Sequence, residues 1–202
     1  LIPCIDKYRG DWPEVELDLT GGFNFAPLPA LARGDLDLVI TADPLPISGI
    51  AYIPLFRYEA MLALDRHHPL SLKEWVEPED LSDQVLITYP VERERLDVFT
   101  RFLDPASVEP ESIRTAELTP MMVQLVASGR GTARLPNWAL MEYVDNQIIV
   151  ARKLGEHGIW ATPYAAIRED QKDGAFMEDF LATAEDTSFP HLPGIIAANV
   201  ET

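Results

Sequence analysis

The sequence predicts an α/β protein built as two small subdomains joined by two chain crossings. Three observations carry that prediction. Short strand-like and helix-like patterns alternate along the chain, the polar stretch SLKEWVEPEDL (residues 71–81) interrupts them, and a final strand and helix after residue 158 read as a return to the first sheet. The expected division is 1–72 with 158–202 against 73–157. A hinge of this kind makes a cleft between subdomains, a preferred place for ligands.

In order, Leu1, Ile5 and Tyr8 recur at helical spacing up to Gly10, after which Val15, Leu17 and Leu19 alternate with Glu14, Glu16 and Asp18 as in a strand. APLPALAR (26–33) predicts a short helix closed by Gly34, and DLDLVIT (35–41) a strand. IAYIPLFRYEAMLALD (50–65) holds one or two strands and RHHPL (66–70) a turn. QVLITYP predicts a buried strand; VERERLDVFTRFL a helix with Leu96, Phe99, Phe102 and Leu103 on one face and Glu92 and Glu94 at its positive end. SIRTAE is a strand leading to a helix capped by Thr119, with Pro120 in its first turn and Gly129 as its stop. TARLP is a strand, NWALMEYV a helix that Asn137 caps, and QIIVARKL a strand. IWATPYAAIRED closes the pattern as a strand, followed by a helix with Phe176, Phe180, Leu181 and Ala184 on one face.

Composition narrows the function classes. The formal net charge of -17 repels polyanions, so this segment is not expected to bind DNA or RNA itself. The single cysteine, Cys4, has no partner within the chain and reads as a small buried hydrophobe. No run approaches the roughly 18 apolar residues of a membrane span, and no signal-peptide pattern opens the chain. LIPCIDKYRGDWP, without an initiator Met, reads as the inside of a helix, so a preceding segment is expected.

No catalytic constellation is present: GxSxG, P-loop, GxGxxG and HExxH motifs are all absent. His67 and His68 are adjacent and followed by Pro69, a turn rather than a metal site. No metal and no cofactor are expected. Phe23 and Phe25 flank Asn24 in a glycine-led loop and read either as core or as an apolar cleft wall. Helix starts at Pro90–Arg93 and Thr119–Met121 offer backbone N–H groups suited to a carboxylate, and Thr41 and Asp43 follow a strand's carboxyl end, where ligands sit in open sheets. A small polar anion, such as an amino acid, is the expected guest.

LARGDLDLVIT, IPLFRYEAMLALDRHHPL and LVASGRG followed by LP, in that order and spacing, resemble the effector-binding half of LysR-type transcriptional regulators from Leu1 to about Ala184. WPEVELDL, GFNFAPLPAL, PEDL, YPVERERLDVF and LPNW resemble the branch of that family that activates methionine-biosynthesis genes with homocysteine as coactivator. GTARLP departs from the family's apolar strand at Thr132 and Arg134. The resemblance implies two Rossmann-like α/β subdomains on a two-strand hinge, the type 2 periplasmic-binding-protein arrangement. It also implies a preceding winged helix-turn-helix that carries the DNA contacts, a linker helix and a first strand, a cytoplasmic homodimer or tetramer, and no catalysis. Family ligand geometry maps onto Thr41, onto Tyr89, Pro90, Val91 and Arg93, and onto Thr119 and Met121. Asp43 is then placed to meet an ammonium, and Phe23, Phe25, Met121 and Trp138 to line the apolar part. A transporter's solute-binding protein shares the two-subdomain plan and is the alternative.

Overall fold

A computed structural model describes residues 2–21, 23 and 26–199. They fall into two compact units, one of residues 1–57 with 162–202 and one of residues 58–161. The first crossing therefore lies at Arg57–Tyr58 rather than at 72, and the second at Ala161–Thr162, four residues past the expected 157. The cause is strand pairing: the eight-residue strand that begins at Tyr58 makes its whole ladder within the second unit.

Unit 1 opens with helix α1 (Ile2–Asp11). The expected strand at Val15–Leu19 is absent; residues 16–20 are irregular and Leu19 is 63% exposed. Alternation makes a strand only where a neighbour supplies ladder partners, and among the described residues none runs alongside. Helix α2 (Pro27–Arg33) is closed as expected by Gly34, whose φ of 85° lets its N–H reach back to Leu31 O. Strands β1 (Leu38–Thr41) and β2 (Ile50–Pro54) do not touch each other; the later β10 (Tyr164–Arg168) lies between them and pairs antiparallel with both. Leu28 and Leu31 of α2 pack on Val39, Ile50 and Ala166 of that sheet. Helix α5 (Ala175–His191) packs along α1 through Tyr8, whose hydroxyl donates to Phe176 O at 2.7 Å, and Trp12, whose Nε1 donates to Asp179 at 2.8 Å. Its buried residues are Met177 and Thr183; Phe176, expected on the inner face, is 40% exposed.

Unit 2 is organised by β3 (Tyr58–Asp65). Its pleat sends Ala60, Leu62 and Leu64 into one apolar cluster and Ala63 into another on the opposite face, so the strand is apolar on both sides. The polar connector supplies β4 (Trp75–Val76), after which come β5 (Val85–Thr88), β6 (Ser112–Thr115), β7 (Thr132–Pro136), β8 (Ile149–Leu154) and β9 (Ile159–Ala161). The sheet order is β4-β8-β3-β7-β5-β6, with β9 also on β3; β5 is parallel to β6 and β7, and β3 antiparallel to β7, β8 and β9. The stretch expected as one strand at 159–170 is thus two, β9 and β10, in different sheets.

Helix α3 (Thr119–Ala127) buries Met122, Val123 and Val126, and α4 (Asn137–Asp145) buries Leu140, on one face of the unit 2 sheet. Across it, Val98, Phe99, Phe102 and Leu103 pack on Leu62 and Leu64. That second segment is not the single helix expected from Val91. A three-residue 3-10 turn (Arg93–Arg95) is followed by extended Leu96 (φ -101°, ψ 107°), and helix begins only at Asp97, with π-type bonding over Phe99–Leu103. The apolar residues that favour helix start at Leu96; before them Glu92 to Arg95 have no apolar face to bury.

Candidate functional site

Because β5, β6 and β7 run parallel, the turns that follow them leave from one edge of the unit 2 sheet. This is the edge at which open α/β sheets hold ligands. Tyr89, Pro90, Val91, Arg93, Thr119, Met121 and Trp138 all lie on or just beyond these turns.

The structure brings two of them together directly. The Tyr89 hydroxyl lies 2.6 Å from Thr119 Oγ1, joining the turn after β5 to the start of α3. Thr119 is consequently not the helix cap expected of it; Leu118 holds that position and Thr119 is the first helical residue. Met121 is 52% exposed on the same helix start. The turn at 90–93 is not a helix N-terminus, since only the short 3-10 turn follows it, and the Val91 N–H is given to Tyr89 O at 2.9 Å.

Arg93 points elsewhere. Its guanidinium bonds Glu109 through two nitrogens at 2.9 and 2.8 Å, reaches Asp104 at 2.5 Å, and stacks over the Phe99 ring at 4.1 Å. These carboxylates hold its pKa above the ordinary arginine value. Arg93 therefore ties the turn to the helix beside it.

Trp138 stands at the start of α4, half-buried, with its ring edge-on to Tyr58 at 6.5 Å. Its backbone N–H donates to Asn137 Oδ1 at 2.8 Å, while its indole Nε1 is buried without a hydrogen bond among the described residues. Tyr58 also meets Arg134, whose guanidinium lies 5.7 Å from the ring centre and forms an ion pair with Asp97. Sequence reasoning missed this group of Tyr58, Asp97 and Arg134. The available signal was Arg134 itself, a charge in a strand that otherwise reads as buried, where a partner is obligatory.

In unit 1, Thr41 and Asp43 do lie at the carboxyl end of β1. The Thr41 hydroxyl closes a local turn, accepting from the Asp43 N–H at 3.0 Å with the Asp43 carbonyl 3.3 Å away. Phe23 is half-buried in a turn in which its carbonyl accepts from the Ala26 N–H; Phe25 lies outside the described residues. Among the described residues no three His, Cys, Asp or Glu side chains gather as a metal site, and no helix is long and apolar enough to cross a membrane.

Residues 1–188 match the LysR substrate binding domain. The chain belongs to that family. As a LysR substrate-binding domain it is similar to the transcriptional regulator MetR of Escherichia coli K12, with 41% identity over 202 residues, all of this chain and 63% of the relative. MetR of Salmonella typhimurium is 42% identical over 199 residues, 98% of this chain and 62% of the relative. The chain thus spans a little under two thirds of these regulators. The regulatory domain of MetR from N. meningitidis superposes with a TM-score of 0.84 at 36% identity, covering 98% of this chain and 91% of that one. The BenM effector-binding domain, with a TM-score of 0.73 at 20% identity over 94% of this chain and 86% of that one, shares the fold. The two-subdomain, type 2 periplasmic-binding-protein-like plan expected of the sequence is the plan of these LysR domains. The related proteins are transcriptional regulators, not enzymes.

Proposed function

We propose that this chain is the effector-sensing domain of a cytoplasmic, DNA-binding regulator of methionine biosynthesis and that its effector is homocysteine. The observation that carries the reading is the likeness to MetR regulators along the whole chain. In this reading the DNA contacts belong to an N-terminal domain and the assembly is a homodimer or tetramer; the charge of -17 suits a segment that leaves DNA to another part.

The effector's carboxylate is assigned to the Thr41 hydroxyl and the turn Tyr89–Arg93, with Thr119 beside it, and its ammonium to Asp43. Phe23, Phe25, Met121 and Trp138 are assigned to the thiol side chain. Within the turn, the polar contact falls to the Tyr89 hydroxyl, Pro90 and Val91 pack beside it, and Arg93 acts by holding the turn's shape. Effector binding signals only if it favours one conformation of the regulator over another.

Isothermal titration of homocysteine into the full-length regulator tests this, with methionine, cysteine and serine for comparison. Saturable binding of homocysteine, tighter than the others and weakened about tenfold by Thr41→Val, is expected from loss of one hydrogen bond to a charged group. Absence of binding by all four to folded protein overturns the methionine-pathway assignment and leaves the family unaffected.

A further inference from the structure

At its amino end β5 meets a different feature. Val85 lines a cavity of about 390 Å³, on the scale of small-molecule sites. The turn Gly129–Arg130–Gly131, which ends α3, forms another wall. A Cβ on Gly131 would stand 2.6 Å from Val85 O, so this turn is pressed against the strand and Arg130 is held at the rim. On a third side Asp83, Gln84 and His68 satisfy one another: Gln84 Nε2 donates to Asp83 at 2.5 Å, and Gln84 Oε1 lies 2.9 Å from His68 Nε2.

Three charged groups on the cavity are left over. Arg114, Arg130 and Glu111 line it, and none has a side-chain hydrogen bond or ion pair among the described residues. Elsewhere Arg33, Arg93, Arg95, Arg134 and Arg168 hold a carboxylate, while Arg66, Arg101 and Arg152 bond a histidine or backbone carbonyls. Two guanidinium groups face one cavity with the unpartnered Glu111 carboxylate and, on the third side, the Asp83 carboxylate that accepts from Gln84; the guanidiniums are the complement of a ligand's two carboxylates, and the acidic side of the cavity that of its ammonium.

We propose that this cavity is a second small-molecule site, specific for a dicarboxylic amino acid. Arg114 and Arg130 take its carboxylates and Glu111 its ammonium. The site lies roughly 13 Å from the Tyr89–Thr119 edge, the length of four strand residues or nine helical ones, and it does not depend on the homocysteine reading. Both β5 and α3 run from one place to the other.

The test is a nitrogen-15 NMR titration of this chain with L-glutamate, glutarate and L-glutamine in parallel. Saturable shifts at the Val85, Arg130 and Gly131 amides are expected with L-glutamate, at least tenfold tighter than with the other two. Arg114→Gln and Arg130→Gln, both on exposed side chains, each weaken it about tenfold, while Thr119→Val leaves it unchanged. Glutarate binding as tightly as L-glutamate overturns the amino-acid specificity. Shifts confined to the Tyr89–Thr119 edge, or no saturation, overturn the site.

Discussion

The hydroxyls of Tyr89 and Thr119 lie 2.6 Å apart, thirty positions apart in the chain. This bond couples the turn after β5 to the first residue of α3. Tyr89→Phe and Thr119→Val should each cost about 1 kcal/mol in urea unfolding, and a double-mutant cycle should return a coupling of similar size. Strictly additive losses would show that the two hydroxyls act independently.

Arg93 bridges the 3-10 turn to Asp104, Glu109 and Phe99. Its partners are well exposed, so Arg93→Ala should lower stability by only about 1 kcal/mol. Arg93→Lys should recover little of it, because an ammonium cannot bond two carboxylates while lying flat on a ring. Chemical denaturation of the three proteins measures this directly.

Arg134 and Asp97 form the most enclosed ion pair of unit 2, with side chains 14% and 25% exposed. Removing one partner strands the other, so Arg134→Ala should destabilise by about 3 kcal/mol, whereas Arg134→Met with Asp97→Leu should cost much less. Thermal unfolding of the single and double variants separates the two cases.

Gly131 has φ 144° and no room for a side chain beside Val85 O. Gly131→Ala should cost more than about 2 kcal/mol, against a small effect for Gly10→Ala, where nothing lies within 4 Å. A comparison of the two midpoints in urea checks it.

Burial pushes the Glu59 carboxyl above its ordinary value of 4.5, with nearby Lys153 opposing the shift. The folded state thus favours the protonated form, and its contribution to stability is present below the unfolded pKa and lost as pH rises through the folded one. Glu59→Gln should raise the melting temperature at pH 7 and make no difference at pH 4. Calorimetry across that range would contradict this if the gain were equal at both ends.

Much of the fold was legible because its signals are local. Gly34 after PLPALAR, the two-sided apolar run of β3 and the buried spacing of α3 each identify an element without reference to anything distant. The late start of the helix at Asp97 and the cap at Leu118 are local misses, and the larger failures are long-range. Val15–Leu19 has the strand pattern without a ladder partner among the described residues. The unit boundary was misplaced because β3 carries no mark of which sheet it pairs with. At the site, the positions at strand ends were readable, but the engagement of Arg93 depends on carboxylates 11 and 16 positions along the chain, and the meeting of Tyr58, Arg134 and Asp97 on residues tens of positions apart.

The placement of β10 between β1 and β2 also bears on how the chain comes off the ribosome. Unit 2 is one continuous stretch, complete once Ala161 has emerged, but the central strand of the unit 1 sheet begins only at Tyr164. At about 5–20 residues per second, β1 and β2 wait on the order of ten seconds after synthesis for the partner they share. During that interval Val39 and Ile50 have no sheet to bury them, so holdase chaperones should bind nascent chains halted before Tyr164 and release those extended past Arg168.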